Sequence, residues 1–294
     1  MEADQAEGLP ELARYYDEKT TRLLDKYGPG PRVHYHTGIS DGSFPPGAGT
    51  ESLRVLIRAA QERLLEPATA AFAGLAAPDG GPPRILDVGC GLGGTSLRLA
   101  QELGARMTAI SIAAGHLPLV RAFAAELGLA DRVEALVQDA HTMTGQARFD
   151  AAIAIESSCY LDRSAWLRRM AGLLAPGGLL LVMDWMLGRA DGRSARVEAH
   201  WRTRMGTPTE YHEAAEAAGL VVESEEIIND ETSGFWVLAR AWNEAAIRER
   251  EPAEAERARL EESARELANL EESFRTRSVL CVRMRIRKPG SPHS

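Results

Sequence analysis

The spacing of apolar residues changes once along the chain. Up to about residue 75 they recur at helical period; from residue 84 they gather into short runs. Leu12, Tyr15, Tyr16, Leu23, Leu24 and Tyr27 predict an amphipathic helix over residues 8–27, ended by Gly28-Pro29-Gly30-Pro31. Leu53, Leu56, Ile57, Leu64 and Leu65 predict a second helix over about 51–75, which Pro67 is expected to kink or split. The proline- and glycine-rich residues 76–83 then mark the entry to a different unit. Within it, strands are expected at 85–88, 106–112, 133–138, 150–155 and 179–184, with helices at 95–103, 114–127 and 164–174 between them. This alternation implies a parallel sheet covered by helices on both faces. Ala175-Pro176-Gly177-Gly178 reads as the stop of the last of these helices. Downstream, residues 208–218 read as a helix capped by Thr207, and 220–228 as a strand. Leu260, Leu267, Leu270 and Phe274 share one face of a mixed-charge helical stretch over 244–277, either a short coiled coil or a lid or surface helix. Finally, Val282, Met284 and Ile286 alternate with Arg283, Arg285 and Arg287, the pattern of a half-exposed strand near a sheet edge.

Composition narrows the functional classes. The 294 residues are 45% hydrophobic and 26% charged, which suits a soluble globular chain without a disulfide scaffold. Against 34 basic residues stand 42 acidic ones, a net charge of −8, and no basic block is interleaved with aromatics. Nucleic acid is therefore not an expected partner. The first residues lack the zones of a signal peptide and no apolar run is long enough to span a bilayer, so a cytoplasmic protein with no membrane partner is expected. Cys90, Cys159 and Cys281 lie far apart with no Cys-x-x-Cys pair, and neither a metal site nor a disulfide is expected from them.

The sharpest local signal is Ile85-Leu86-Asp87-Val88-Gly89-Cys90-Gly91-Leu92-Gly93-Gly94-Thr95, which follows a strand and opens a helix. Gly89 suits a tight turn and Gly91 a close approach of backbone to ligand. Gly89, Gly91 and Gly94 also fit the Gly-x-Gly-x-x-Gly spacing of dinucleotide sites. Such a site wants an acidic residue about 20 positions on, yet residues 107–112 are Met-Thr-Ala-Ile-Ser-Ile. Asp87, two residues before the first glycine, is instead placed to face a ligand's ammonium.

Leu86 to Gly91, Gln138-Asp139-Ala140 and Leu174 to Gly178 together resemble the class I S-adenosylmethionine-dependent methyltransferases over about residues 80–185. The resemblance implies an α/β fold: a doubly wound, Rossmann-like, seven-stranded sheet with the last strand antiparallel, and a helical lid. It implies S-adenosylmethionine as cofactor. The glycine loop, Asp87 with Gly89, Cys90 and Gly91, would cradle its methionine moiety, and Asp139 with Ala140 would edge the adenine. Ser111 and Ile112 stand where many members carry an acidic residue for the ribose, a departure shared by the subgroup resembling sterol, cyclopropane-lipid and geranyl diphosphate methyltransferases. For Asp139 a solvated turn carboxylate is the other reading. Residues 1–80 are expected to form the lid and 81–294 the methyltransferase domain, with insertions at about 188–215 and 229–277.

Three looser segments are similar to the geranyl diphosphate and sterol C-methyltransferase group: 33–39, 155–160, and 199–211 with Gly219-Leu220. Methyl transfer is an in-line displacement that needs an electron-rich atom close to the methyl and water excluded. Attack by an alkene or aromatic carbon leaves a cation that must lose a proton. Glu156, at a strand's carboxyl end and beside the cofactor, can stabilise that cation and take its proton, or it can simply cap the Ser157 and Ser158 amides. His34 and His36 share a face if their loop is extended; they close the site with Tyr35, serve as base for an oxygen or nitrogen acceptor, or are structural. Tyr35, Tyr160, Trp185, Trp201 and Trp236 are candidates to line the acceptor pocket, where ring faces favour a cation. Asp184 either contacts the substrate or caps a turn. Arg196, Arg202 and Arg204 either meet an anionic group or form a solvated face. Scattered arginines in an acidic chain do not suit a diphosphate, and a neutral or zwitterionic aromatic, indolic or terpenoid metabolite fits better. The expected activity is C-methylation of such a small molecule. O- or N-methylation and a non-catalytic cofactor-binding module are the alternatives, and a homodimer is compatible with the long lid helices.

Overall fold

The computed structural model describes residues 2–75, 77 and 79–290. Ala76 and Pro78 of the proline-glycine break, and Met1, lie outside them. In chain order the elements are α1 (Glu2–Tyr27), α2 (Thr50–Phe72), β1 (Arg84–Val88), α3 (Gly94–Leu103), β2 (Arg106–Ser111), α4 (His116–Glu126), β3 (Val133–Val137) and β4 (Phe149–Ile155). They continue with α5 (Arg163–Leu173), β5 (Leu174–Leu187), α6 (Gly192–Trp201), α7 (Pro208–Ala217), β6 (Val221–Ile227), α8 (Asn229–Arg250), α9 (Glu254–Arg275) and β7 (Val279–Arg287).

The seven strands run in the order β3-β2-β1-β4-β5-β7-β6, and β7 is antiparallel to both its neighbours. The sheet is thus the doubly wound one the sequence implied. Every residue of β4 is buried, because helices cover both faces; that is why the central strands read as unbroken apolar runs. β4 and β1 end side by side, Ala154 opposite Val88, where the chain direction of the connections reverses. Ligands bind at such a point in open α/β sheets.

Local chemistry explains most boundaries. Thr207 caps α7 by accepting the Glu210 N–H at 3.2 Å while Glu210 accepts the Thr207 N–H at 2.6 Å, with Pro208 at the first helical position. Asp191 and Ser194 form the same reciprocal box at the start of α6. In three places the structure departs from the sequence pattern. Pro67 does not split α2, which runs unbroken through it, because Leu64, Leu65, Ala68 and Phe72 are buried around it and hold the helix. The Ala175-Pro176-Gly177-Gly178 segment is not a loop after α5: β5 begins at Leu174, and the register shift between Phe149 and Ala151 absorbs the segment as an irregularity. β7 agrees with its alternating pattern: it lies one strand in from the edge strand β6, whose Glu223 pairs with Arg285 and Arg287. The helical stretch expected at 244–277 starts fifteen residues earlier, at Asn229, and is a hairpin of α8 and α9 packed on each other. Leu260, Leu267, Leu270 and Phe274 are all buried.

α1 lies across the carboxyl ends of the strands. Its Tyr15 hydroxyl donates to the His200 carbonyl, Asp17 accepts the Gly115 N–H at 3.0 Å, and Asp25 pairs with Arg250 at 2.7 Å.

Candidate active site

Between α1, the strand ends and the α8–α9 hairpin lies a cavity of about 440 Å³. One end runs along Gly89, Gly91, Ser111 to Ala113 and Gln138 to Ala140; the other is walled by aromatic rings. A smaller cavity beside the first end is bordered by His34, Tyr35, His36, Asp87, Cys90 and Gly94. Most of the residues singled out from the sequence border these two cavities, with exceptions described below.

At the glycine end, Gly89 has φ +75°, and a Cβ there would lie 2.5 Å from that of Ser157. Gly91 has φ +51° with nothing within 4 Å of a notional Cβ, so its free side faces open space. Asp87 is buried and accepts the Ser96 hydroxyl at 2.6 Å; burial pushes its carboxyl up to about 6. A ligand cation beside it would reverse that shift. Asp139 borders the cavity while accepting the His141 N–H at 2.9 Å, which, with the His141 ring, holds its carboxyl below the usual range. It is thus a turn carboxylate and a cavity residue at once. Ser111 accepts the Ala113 N–H at 3.1 Å, and Ile112 and Ala140 complete that wall. His116, at the start of α4, also borders the cavity, and neither of its buried ring nitrogens has a partner.

Glu156 follows directly on β4 with φ +48°, a left-handed conformation that strains a non-glycine residue. Its Oε1 accepts the Thr37 N–H at 2.7 Å, and the residue borders the cavity. Burial, reinforced by the Asp184 charge, pushes its carboxyl up to about 8. The Ser157 and Ser158 amides do not belong to Glu156. They donate to Asp184 Oδ2 at 3.1 and 2.7 Å, joined by the Cys159 N–H and the Ser158 hydroxyl. Asp184 is fully buried, does not border the cavity, and clamps the loop that carries Glu156. The expectation that it meets the substrate is corrected: four hydrogen bonds to one oxygen hold it inside the fold.

His34 and His36 share a face, their rings 5.1 Å apart. His34 Nε2 meets Glu62 at 3.1 Å, His34 Nδ1 meets His36 Nε2 at 3.3 Å, and His36 Nδ1 meets the Thr37 carbonyl at 2.6 Å. All four ring nitrogens are thus engaged, and burial drives the His36 imidazole down to about 3. This corrects their reading as a general base; the pair fixes the loop that presents Tyr35 and Thr37.

Tyr35, Tyr160, Trp185, Trp201 and Trp236 all border the cavity. Trp185 packs edge-on against Trp201 and Trp236, both at 5.6 Å, and its indole N–H donates to the Thr37 hydroxyl at 3.2 Å. Arg196 is paired with Glu266, Arg202 stacks on Tyr15, and neither they nor Arg204 border the cavity. Sequence reading missed Tyr16, Tyr27, Phe235 and Trp242 as wall residues, and Thr37 as the link between Glu156 and Trp185. Tyr16 had a signal, its place on the apolar face of α1; its hydroxyl donates to that of Tyr160 at 2.6 Å.

Residues 85–178 match the methyltransferase-domain family. The chain carries a class I S-adenosylmethionine-dependent methyltransferase domain. With it the dinucleotide reading of the glycine loop falls. The chain is 33% identical over 184 residues to a probable chloroplastic tocopherol O-methyltransferase of Oryza sativa subsp. japonica, covering 60% of this chain and 47% of the rice protein. It is 30% identical over 181 residues to the ajmaline N-methyltransferase of Rauvolfia serpentina, covering 61% and 59%. These matches span less than two thirds of those relatives. Among solved structures, geranyl diphosphate C-methyltransferase from Streptomyces coelicolor A3(2), crystallised with Mg2+, geranyl-S-thiolodiphosphate and S-adenosyl-L-homocysteine, superposes with a TM-score of 0.78 at 20% identity, covering 95% of this chain and 97% of that one. The [4+2]-cyclase SpnF superposes with 0.71 at 23%, covering 95% of each chain. Identities this low speak for the fold alone. Among the described residues no helix is long and apolar enough to cross a membrane.

The glycine end fits S-adenosylmethionine: a buried carboxylate for an ammonium, an open glycine turn, and at His116 two buried ring nitrogens without partners.

Proposed function

We propose that this protein transfers a methyl group from S-adenosylmethionine to a carbon of a small aromatic, indolic or terpenoid metabolite. The observation that carries the reading is Glu156, a strained, half-buried carboxyl that follows a strand end and borders an aromatic-walled cavity. The relatives methylate oxygen or nitrogen by name, so the acceptor atom is argued from the site and not from them.

S-adenosylmethionine, when bound, supplies an electrophilic methyl on a sulfonium. Asp87 takes its ammonium, the turn at Gly89, Cys90 and Gly91 takes its methionine chain, and Ser111, Ile112, Asp139 and Ala140 flank the adenosine. The rings of Tyr35, Tyr160, Trp185, Trp201 and Trp236 exclude water and face the acceptor. As the new carbon–carbon bond forms and the carbon–sulfur bond breaks, positive charge appears on the acceptor, where ring faces and the Glu156 carboxylate stabilise it. Glu156 then takes the proton and becomes the neutral acid that burial prefers. Positive charge in the cavity restores its carboxylate form before each turnover. Turnover accordingly falls on acidification as Glu156 protonates.

Glu156→Ala is expected to bind S-adenosylhomocysteine as the parent does and to lose about a hundredfold or more in turnover. Radiolabelled-methyl transfer over aromatic, indolic and terpenoid acceptors, followed by NMR of the product, is the measurement. A methyl on oxygen or nitrogen, or full turnover by the variant, would sink the proposal. Tight cofactor binding with no acceptor methylated would favour a non-catalytic role.

A further inference from the structure

We infer that the acceptor carries a single organic anion, received by Lys19 and Lys26 on the cavity face of α1. The inference rests on the acceptor cavity proposed above, but not on which atom is methylated. Residues 12, 15, 16, 19, 22, 23, 25, 26 and 27 of α1 border the cavity; Lys19, Arg22 and Lys26 among them are cationic and Asp25 is anionic. Lys26 Nζ donates to the Ala239 carbonyl at 2.8 Å and to Asn243 Oδ1 at 3.0 Å, and lies 5.5 Å from the Trp242 ring centre. Both hydrogen-bond partners are neutral, and an ammonium has three donors. Lys19 donates to the Tyr15 hydroxyl and sits over that ring, with Arg22 and Arg202 adding charge of the same sign.

Among the described residues, neither lysine has a carboxylate within ion-pairing distance. Of the acids that border the cavity near them, Asp25 is paired with Arg250 at 2.7 Å and Glu262, exposed on α9, lies near His200; Glu266, outside it, pairs with Arg196 at 2.6 Å. A half-buried cation without a counter-charge is costly, and desolvation drives both ammonium groups down to about 7. A carboxylate or phosphate ester on the acceptor removes that cost and anchors one end of an otherwise apolar molecule against the rings. The lone arginines considered from sequence do not serve this purpose; the cations that do lie on the helix that closes the site.

The test uses the full chain saturated with S-adenosylhomocysteine and two fluorescent probes of one skeleton, 8-anilinonaphthalene-1-sulfonate and the uncharged N-phenyl-1-naphthylamine. The sulfonate is expected to bind at least about tenfold more tightly. Lys26→Met and Lys19→Met should each abolish most of that preference without changing affinity for the neutral probe or for S-adenosylhomocysteine. Displacement of the sulfonate by 1-naphthylacetate or by 1-naphthyl phosphate then tells a carboxylate acceptor from a phosphate one. Equal affinity for the two probes, no binding of the sulfonate, displacement by neither competitor, or a preference that survives in both variants overturns the inference. Should Lys26→Met fail to fold, Lys19→Met, which gives up only a bond to a tyrosine hydroxyl, decides it. No methyl transfer is measured, so failure of the carbon-methylation reading leaves the result interpretable.

Discussion

The proposed chemistry asks Glu156 to ionise in a place that resists charge, and the cost of that charge to the fold is measurable. Its folded-state carboxyl lies near 8, above the ordinary 4.5. Between those values the native protein holds a proton the unfolded chain has lost, so stability falls as pH rises through this window. Glu156→Gln keeps an oxygen for the Thr37 N–H and has no charge to desolvate. It is therefore expected to raise the Tm by about 5 °C at pH 8 and to leave it unchanged at pH 4, as read by calorimetry. Residues of this kind were partly legible in the sequence. Glu156 stood out because it ends a strand at the switch point of the sheet. For Asp184 the sequence leaves substrate contact and a turn cap both open, since nothing in its neighbours shows that three amides of a loop about 25 residues earlier converge on it. Thr37 and Lys26 act through residues more than a hundred positions away, a relation no spacing rule encodes.

The elements were easiest to read where local chemistry sets their ends. The Thr207 cap and the alternation of β7 were visible as they stand. The first half of α8 was not, because Phe235, Trp236, Leu238, Ala239, Ala241 and Trp242 are all buried. A helix buried on several faces has no apolar stripe to find. α2 shows the converse: Pro67 is a sound breaker signal overruled by packing. Its ring removes one hydrogen bond from an otherwise regular helix, so Pro67→Ala is expected to stabilise the protein by about 2 kcal/mol in urea denaturation. A loss of stability would mean that the helix is bent there in a way the packing needs.

At the scale of the molecule, the cofactor end of the cavity comes from the sheet, and its cover comes from α1 and the α8–α9 hairpin. Closure and binding are therefore linked. S-adenosylhomocysteine at about a hundred times its Kd should add about 2.7 kcal/mol to stability. Amide exchange along α1 should slow with it; unchanged exchange in α1 would mean that the helix does not respond to the bound cofactor.

The place of β7 sets an order of assembly. It follows every other described strand in the chain, yet it lies between β5 and β6. Until residues 279–287 leave the ribosome, β6 has no strand to pair with and α8–α9 has no finished sheet beneath it. An internal deletion of those nine residues would cost the sheet two strands.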